Sequence, residues 1–382
     1  MTRHPIRVLH VLGSLNPGGV ETWLINILRH MDRERFEMHF CTFGPEPGVL
    51  APEVERLGGC VIPCPIEKTD WLLGRRFRRI LREGHYDIVH SHVLYFSGVV
   101  LRWAKQEGVS VRIAHAHSTS DGRPAVVWRR VYRNRMRACI RQNATAGFAA
   151  SMDAAAVLFG PDWQRNEQRH LLYYGIELQP FEGPLDRAEM RRGFEIPEQA
   201  PIIGHVGRFV EAKNHRFLLQ VARELLNKIP QAHFLLIGDG ALREEIEAGA
   251  RAMNLGNQLH FAGVRKDVPR LLRGAMDIFL FPSLWEGLGL ALVEAQAAGL
   301  PCLVSDAVPR DAVVVPELMH YLRLSEGAEE WAAKLATLLQ QSPKERCGDL
   351  SALKQSHFCI DRSVENLSEL YMESIAHSGS RG

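Results

Sequence analysis

Short, nearly unbroken apolar runs alternate along this chain with longer stretches whose apolar residues recur every three to four positions. In the first half, IRVLHVL (6–12), MHFCTF (38–43), DIVHSH (87–92), VRIAHAH (111–117) and ATAGFAA (144–150) predict strands. Residues 19–31, 50–58, 73–83, 97–107 and 125–141 between them predict helices. Strands that are apolar on both faces belong to a parallel sheet covered by helices on each side. The pattern restarts after residue 180. PIIGHVGR (201–208), HFLLIGDG (233–240), QLHFAGV (258–264), DIFLFPS (277–283) and PCLVSD (301–306) read as strands, and 214–229, 241–253, 268–274 and 289–299 as helices.

The proline-rich stretch around 178–200 carries no strong strand and marks a junction. The fold class is therefore α/β, with two Rossmann-like domains whose parallel sheets face across a cleft. The expected domains are 1–180 and 181–362. A tail, 363–382, follows a loop at 342–362; its helix, near 363–376, is suited to packing back on the first domain. The length of 382 residues agrees with two domains at roughly 100–200 residues each.

Composition narrows the classes. With 46% apolar and 24% charged residues the chain has enough material for packed cores. A formal charge of +2 gives no excess for nucleic acid. That total hides an uneven split: residues 1–180 hold 24 Lys/Arg and 17 Asp/Glu, and the rest holds 22 and 27. Seven cysteines are scattered, and Cys60 and Cys64 have no second pair that would complete a zinc spacing. No run of 18 apolar residues occurs, and the first apolar stretch is interrupted at His10 and Gly13. A cytoplasmic protein with reduced thiols is expected.

In such sheets ligands bind beyond the carboxyl ends of the strands. The first strand leads into GSLNPGGVE, where Gly18-Gly19 opens a helix. This is either a tight turn or a place for a phosphate or sugar oxygen on bare backbone amides. It is not G-x-G-x-x-G, and no acidic residue ends the second strand, so a dehydrogenase is disfavoured. GRFVEAKNH places Arg208 and Lys213 just past a strand, as a solvated loop or as a clamp on a diphosphate. Gly238-Asp239-Gly240 is either a sharp turn or a close approach for a base or ribose. In FPSLWEGLGLALVEAQAAGLP a strand runs through a Pro-Ser turn to Glu286, then Gly287-Leu288-Gly289, then a helix carrying Glu294. The spacing of the two glutamates carries no information alone; the ordered set does.

From 201 to 305 the chain resembles the nucleotide-binding domain of family-4 glycosyltransferases, which have the GT-B fold. Glu286 and Glu294 match their Glu-x7-Glu motif, and Arg208 and Lys213 match their phosphate-binding pair. In the amino half, Gly18-Gly19 and His117 in AHAHSTS match as well, so the resemblance covers most of 1–305. Its flavour is that of bacterial exopolysaccharide and capsule transferases. The resemblance implies that Arg208 and Lys213 neutralise the departing nucleoside diphosphate, with no metal and no cofactor. Glu294 would accept from ribose hydroxyls, and Glu286 with the Gly287–Gly289 amides would hold the donor sugar. His117 would reach that sugar near the reacting centre. Transfer would be retaining, with UDP the expected base on family frequency, and a glycan or lipid-linked acceptor.

Within this frame His117 is chosen over His90, His92 and His115 only by the Ser118-Thr119 that follows it. Relatives often carry Asn-Gly-Ile-Asp before the junction, where this chain has Tyr174-Gly175-Ile176-Glu177, and no role is assigned to Tyr174. GRRFRRILR (74–82) and WRRVYRNRMRACIR (128–141) interleave basic residues with Phe77, Ile80, Trp128 and Tyr132. They read either as solvated helix faces or as contacts to an anionic membrane at the inner face of the plasma membrane. Two other functions fit the fold: a non-hydrolysing nucleotide-sugar epimerase, which needs no acceptor, and a non-catalytic nucleotide-sugar-binding assembly partner.

Overall fold

The computed structural model describes residues 4–67, 72–120, 126–341 and 350–379. The chain divides into two compact units, 1–175 with 360–382, and 176–359.

The first unit holds a seven-stranded parallel sheet of β1 (Ile6–Leu12), β2 (Phe36–Thr42), β3 (Cys60–Pro63), β4 (Ile88–Ser91), β5 (Val111–Ala116), β6 (Ala146–Ala149) and β7 (Arg169–Leu171). Their order is β3-β2-β1-β4-β5-β6-β7. The second unit has a six-stranded parallel sheet of β8 (Ile202–Val206), β9 (His233–Ile237), β10 (Leu259–Gly263), β11 (Ile278–Phe281), β12 (Cys302–Ser305) and β13 (Met319–Leu322). Its order is β10-β9-β8-β11-β12-β13. In each sheet the order reverses at one place, between β1 and β4 and between β8 and β11. Chains leaving neighbouring strands there turn to opposite faces and open a crevice at the carboxyl edge.

Alternation along the strands divides the first sheet into two unlike faces. Leu9, Val11, Val89, Ala114 and Ala116 point to one side. Their cluster includes Phe77, Leu101, Ile140 and Leu158 from helices Leu73–Gly84, Ser97–Gln106, Val127–Asn143 and Met152–Phe159. Burying an aromatic such as Phe77 contributes about 1.5–3 kcal/mol of transfer free energy. His10, His90 and His115 occupy alternate positions on the other side, all fully buried. Two helices cover them, Gly19–His30 through Trp23 and Ile360–Gly379 through Tyr371. These helices are tied at Ser363, whose hydroxyl accepts from Trp23 Nε1 at 3.1 Å and donates to the Tyr173 carbonyl at 3.0 Å.

In the second unit, helix His215–Lys228 places Leu218, Val221, Ala222 and Leu225 in one core with Trp331, Leu335 and Leu338 of helix Gly327–Gln341. The short helix Arg187–Arg192 is held at the foot of this sheet by Asp277. One carboxylate oxygen accepts from Arg187 and the other from Arg191 and the Ile202 amide, each at 2.8 Å.

The structure adds elements to those expected. Strands β3, β7 and β13, and helices Met152–Phe159 and Gly327–Gln341, stand where no element was predicted. Part of the expected 342–362 loop is the helix Ser351–Gln355, and the last helix runs over Ile360–Gly379 rather than 363–376. Residues 342–349 of that loop, and Ala125 at the start of the expected 125–141 helix, lie outside the described residues. No helix among the described residues is long and apolar enough to cross a membrane.

The Asp277 carboxylate is the charge partner of Arg191, whose side chain is only 5% exposed. Replacing Asp277 with Ala leaves that guanidinium buried without its carboxylate partner, the one it has among the described residues, and about 3 kcal/mol of stability should be lost. Urea unfolding with equal m-values would measure it; a loss within 0.5 kcal/mol, roughly the effect of an ordinary surface change, contradicts the assignment.

Candidate functional site

Most of the residues singled out in the second unit lie on the loops that follow β8 and β11, at the reversal of strand order. Past β8 the backbone is clamped to the loop after β9: Gly207 N donates to the Ile237 carbonyl and Phe209 N to the Asp239 carbonyl, each at 2.9 Å. Gly238 has φ +135°, and a Cβ there would stand 2.0 Å from the Gly207 oxygen. A Cβ on Gly240 would stand 2.6 Å from the Phe209 oxygen. Both glycines are thus required where two backbones meet.

Arg208 is exposed at this edge. Lys213 ends a short 3-10 turn, after which Asn214, at φ +54°, redirects the chain into the next helix. The Lys213 ammonium donates to Glu286 Oε1 at 2.6 Å and sits 4.7 Å from the centre of the Phe281 ring. Leu284 N donates to the Ala212 carbonyl at 2.8 Å, which holds the two loops side by side. Glu286 is 9% exposed, and Gly287, Leu288 and Gly289 after it are buried. Gly289 has φ +93° and opens helix Leu290–Ala297, which carries Glu294 on its second turn. Burial pushes the Glu294 carboxyl up to about 7, so near neutrality it both donates and accepts. Beside Lys213 lie two histidines not foreseen from the sequence. His215 stacks on Phe209 at 4.1 Å and meets the His205 ring at 4.9 Å. Burial lowers them to about 2 and about 4, so both are neutral.

In the first unit, Gly18 precedes the first turn of helix Gly19–His30 in extended backbone, and its carbonyl accepts from Thr22 N at 2.9 Å. His92 and His117 stand just past β4 and β5. They belong to a cluster of five imidazoles. His10 Nδ1 lies 3.0 Å from His92 Nε2, and His92 Nδ1 lies 2.7 Å from His117 Nε2. His117 Nδ1 is hydrogen-bonded to the Tyr174 hydroxyl. A second row joins Tyr371 to His90 Nδ1 at 2.7 Å, and His90 Nε2 to His115 Nδ1 at 3.0 Å. Burial holds His10 and His117 down at about 3 and the other three well below their ordinary value. The whole cluster is therefore uncharged at neutral pH.

The structure brings Lys213 and Glu286 into contact, places Glu294 on the helix that follows, and puts His117 at a strand end. What the sequence left unseen is that His117 belongs to this network and that Tyr174 is its partner. The H-x-H alternations at 90–92 and 115–117 were the available signal, since period two puts both members on one sheet face.

Two parallel α/β units, each with one reversal of strand order, are the paired Rossmann-like units of the GT-B fold. The chain belongs to glycosyltransferase family 4: residues 17–178 match the Glycosyltransferase Family 4 profile and residues 186–351 that of glycosyl transferases group 1. It is 36% identical to the putative glycosyltransferase EpsF of Bacillus subtilis over 379 residues, 96% of each chain. It is 26% identical to the capsular polysaccharide biosynthesis glycosyltransferase CapH of Staphylococcus aureus, over 96% of this chain and 99% of the relative. Among solved structures, Anabaena HepE in complex with UDP-glucose superposes with a TM-score of 0.79 at 19% identity, over 96% of this chain and all of that one.

The neutral imidazoles make stability depend on pH in a fixed direction. An unfolded histidine titrates near 6.5, whereas folded His10 does so at about 3, so the unfolded state binds more protons in between. Stability is complete above about pH 6.5 and falls as the pH drops towards 3. His10 alone should remove about 2 kcal/mol by pH 5. Urea unfolding at pH 7.5 and pH 5 should show the loss, and equal midpoints would refute neutral burial.

Proposed function

We propose that this glycosyltransferase moves a sugar, a hexose or N-acetylhexosamine, from a UDP-sugar to a glycan or lipid-linked acceptor in bacterial surface-polysaccharide assembly. Transfer proceeds with retention at the anomeric carbon and without a metal ion. The carrying observation is the Lys213–Glu286 pair, a cation held in place by a carboxylate and an aromatic face at the strand-order reversal of the second sheet. A cation fixed before the reaction stabilises the charge that develops on a departing diphosphate, with no reorganisation cost during the step. Arg208 supplies a second charge at the same edge. With both in place the leaving diphosphate needs no divalent ion, and its oxygen can take the proton of the incoming hydroxyl on the face that it leaves. Glu294 suits ribose hydroxyls. The names of EpsF-like and capsule relatives, of an Escherichia coli relative that uses UDP-Gal on a diphosphoundecaprenol-linked acceptor, and the UDP-glucose bound in HepE support the donor and acceptor classes.

The test is thermal stabilisation by nucleoside diphosphates and nucleotide sugars in buffer containing EDTA, followed by acceptor-dependent release of nucleoside diphosphate. UDP at 100 times its Kd should contribute about 2.7 kcal/mol of stability. Lys213→Ala should keep the fold and lose at least 100-fold in turnover. A fully active variant, or activity abolished by EDTA and restored by a divalent ion, rules out the assigned role. Conversion of the nucleotide sugar to its ring-carbon epimer without acceptor, with no net release of diphosphate, would identify an epimerase instead.

We propose further that the first unit rests on anionic membrane through helix Val127–Asn143. Of the two basic segments only this one leaves apolar groups in solvent, with Val127 81% and Trp128 65% exposed. In the other segment Phe77 is buried in the core and Ile80 packs partly against it. Arg129 lies over both the Trp128 and Tyr132 rings, and each basic residue near an anionic leaflet adds roughly 1 kcal/mol. In flotation with phosphatidylglycerol-containing liposomes at 0.15 M salt the protein should rise with the vesicles, and Trp128→Glu should stay behind. Equal recovery with neutral liposomes, or none with either, refutes the contact.

A further inference from the structure

Both ring nitrogens of His117 are already engaged inside the first unit, Nδ1 by the Tyr174 hydroxyl and Nε2 by His92. Tyr174 is 3% exposed and stacked on Trp23, with ring centres 4.8 Å apart at 25°. The row continues from His92 to His10, whose Nε2 is buried with no hydrogen-bond partner among the described residues.

Three histidines in such a cluster invite a metal ion, and His92, His115 and His117 bring one ring nitrogen each within 4.8 Å of the others. Geometry decides against it. Imidazoles sharing a tetrahedral ion at about 2.0–2.1 Å hold their nitrogens about 3.3–3.4 Å apart. The 2.7 Å between His92 Nδ1 and His117 Nε2 is a hydrogen bond instead. The two rings meet edge to edge and close to coplanar, at 21°, as a direct nitrogen-to-nitrogen hydrogen bond requires.

A neutral imidazole has one N–H and one lone pair, so the row can be ordered in only two ways. In the first, Tyr174 donates to His117 Nδ1, His117 Nε2–H to His92 Nδ1, and His92 Nε2–H to His10 Nδ1. One group is left over, the His10 Nε2–H. In the second, every bond reverses. The Tyr174 oxygen then accepts from His117, its own proton has no second partner among the described residues, and the His10 Nε2 lone pair is unpaired as well. Each buried orphan is costly, so the order with one orphan prevails over the order with two.

We propose that Tyr174 is the positioning residue for His117. With the imidazole row behind it, Tyr174 makes Nδ1 an acceptor and occupies it until a sugar hydroxyl takes its place. The consequence is chemical: at this nitrogen the protein selects a group that donates a proton, a hydroxyl, and refuses an ether or carbonyl oxygen. The inference rests on the reading of His117 as a sugar contact, which the family resemblance supplies. Tyr174 itself stands where relatives often carry Asn.

Calorimetric Kd values for UDP and for the UDP-sugar giving the largest thermal shift separate the two statements. Tyr174→Phe keeps the ring on Trp23 and removes the competing hydroxyl. It should tighten the UDP-sugar about fivefold and leave UDP unchanged. A UDP-sugar affinity that stays level or weakens overturns the latch. His117→Gln should weaken the UDP-sugar relative to UDP. If His117→Gln leaves that ratio intact, the sugar contact fails and the latch with it; if the ratio drops while Tyr174→Phe changes nothing, only the latch fails. Nitrogen-15 spectra of labelled histidine in the native protein decide the order independently of any variant. They should show His117 protonated at Nε2 and bare at Nδ1; a proton on Nδ1, or one equivalent of bound metal, overturns the proposal.

Discussion

Five imidazoles buried against one sheet face have to satisfy one another, and the first unit is arranged around that requirement. Each ring can stay in the interior only uncharged, and each uncharged ring needs one donor and one acceptor opposite it. Two tyrosines close the rows, one from the end of the first unit's main chain segment and one from the last helix. Trp23 packs across the His115 and Tyr174 rings, and its indole N–H reaches Ser363. The placing of both covering helices follows from this set of bonds as much as from apolar burial.

The second unit solves a different problem at the corresponding edge of its sheet. There a cation is held in one place. A lysine alone in solvent samples many rotamers. Lys213 is fixed by the Glu286 carboxylate and by the Phe281 face. The neighbouring His205 and His215, neutral through burial, add no competing charge. Both units thus fix a polar group through partners far away in sequence, one through imidazoles and one through an ion pair.

What the sequence disclosed follows from burial. Strands β1, β4, β5, β8, β9 and β11 lie inside their sheets and show as mostly apolar runs, interrupted chiefly by single histidines. Strands β3, β7 and β13 are outermost, half-solvated and short, and RHL or MHYL gives no such run. The Glu286 and Lys213 assignments came from the order of motifs around two turns, though the residues are 73 positions apart. The partnership of His117 with Tyr174 spans 57 positions and was illegible, and no role was assigned to a tyrosine standing where relatives often carry asparagine. The two glycines of the Gly238–Gly240 loop were read either as a sharp turn or as a close approach for a base or ribose, and the structure shows them where two backbones meet.

The last helix, Ile360–Gly379, belongs to the unit built from the start of the chain. During synthesis the first 175 residues emerge long before Ser363 and Tyr371 exist to meet Trp23 and His90. Until then only helix Gly19–His30 is at hand for that face of the first sheet, and His90 lacks its Tyr371 partner. The middle of the chain, by contrast, has every strand and helix of its own sheet at hand as soon as it leaves the ribosome. The unit begun first therefore cannot complete its covered sheet face until helix Ile360–Gly379 has been made.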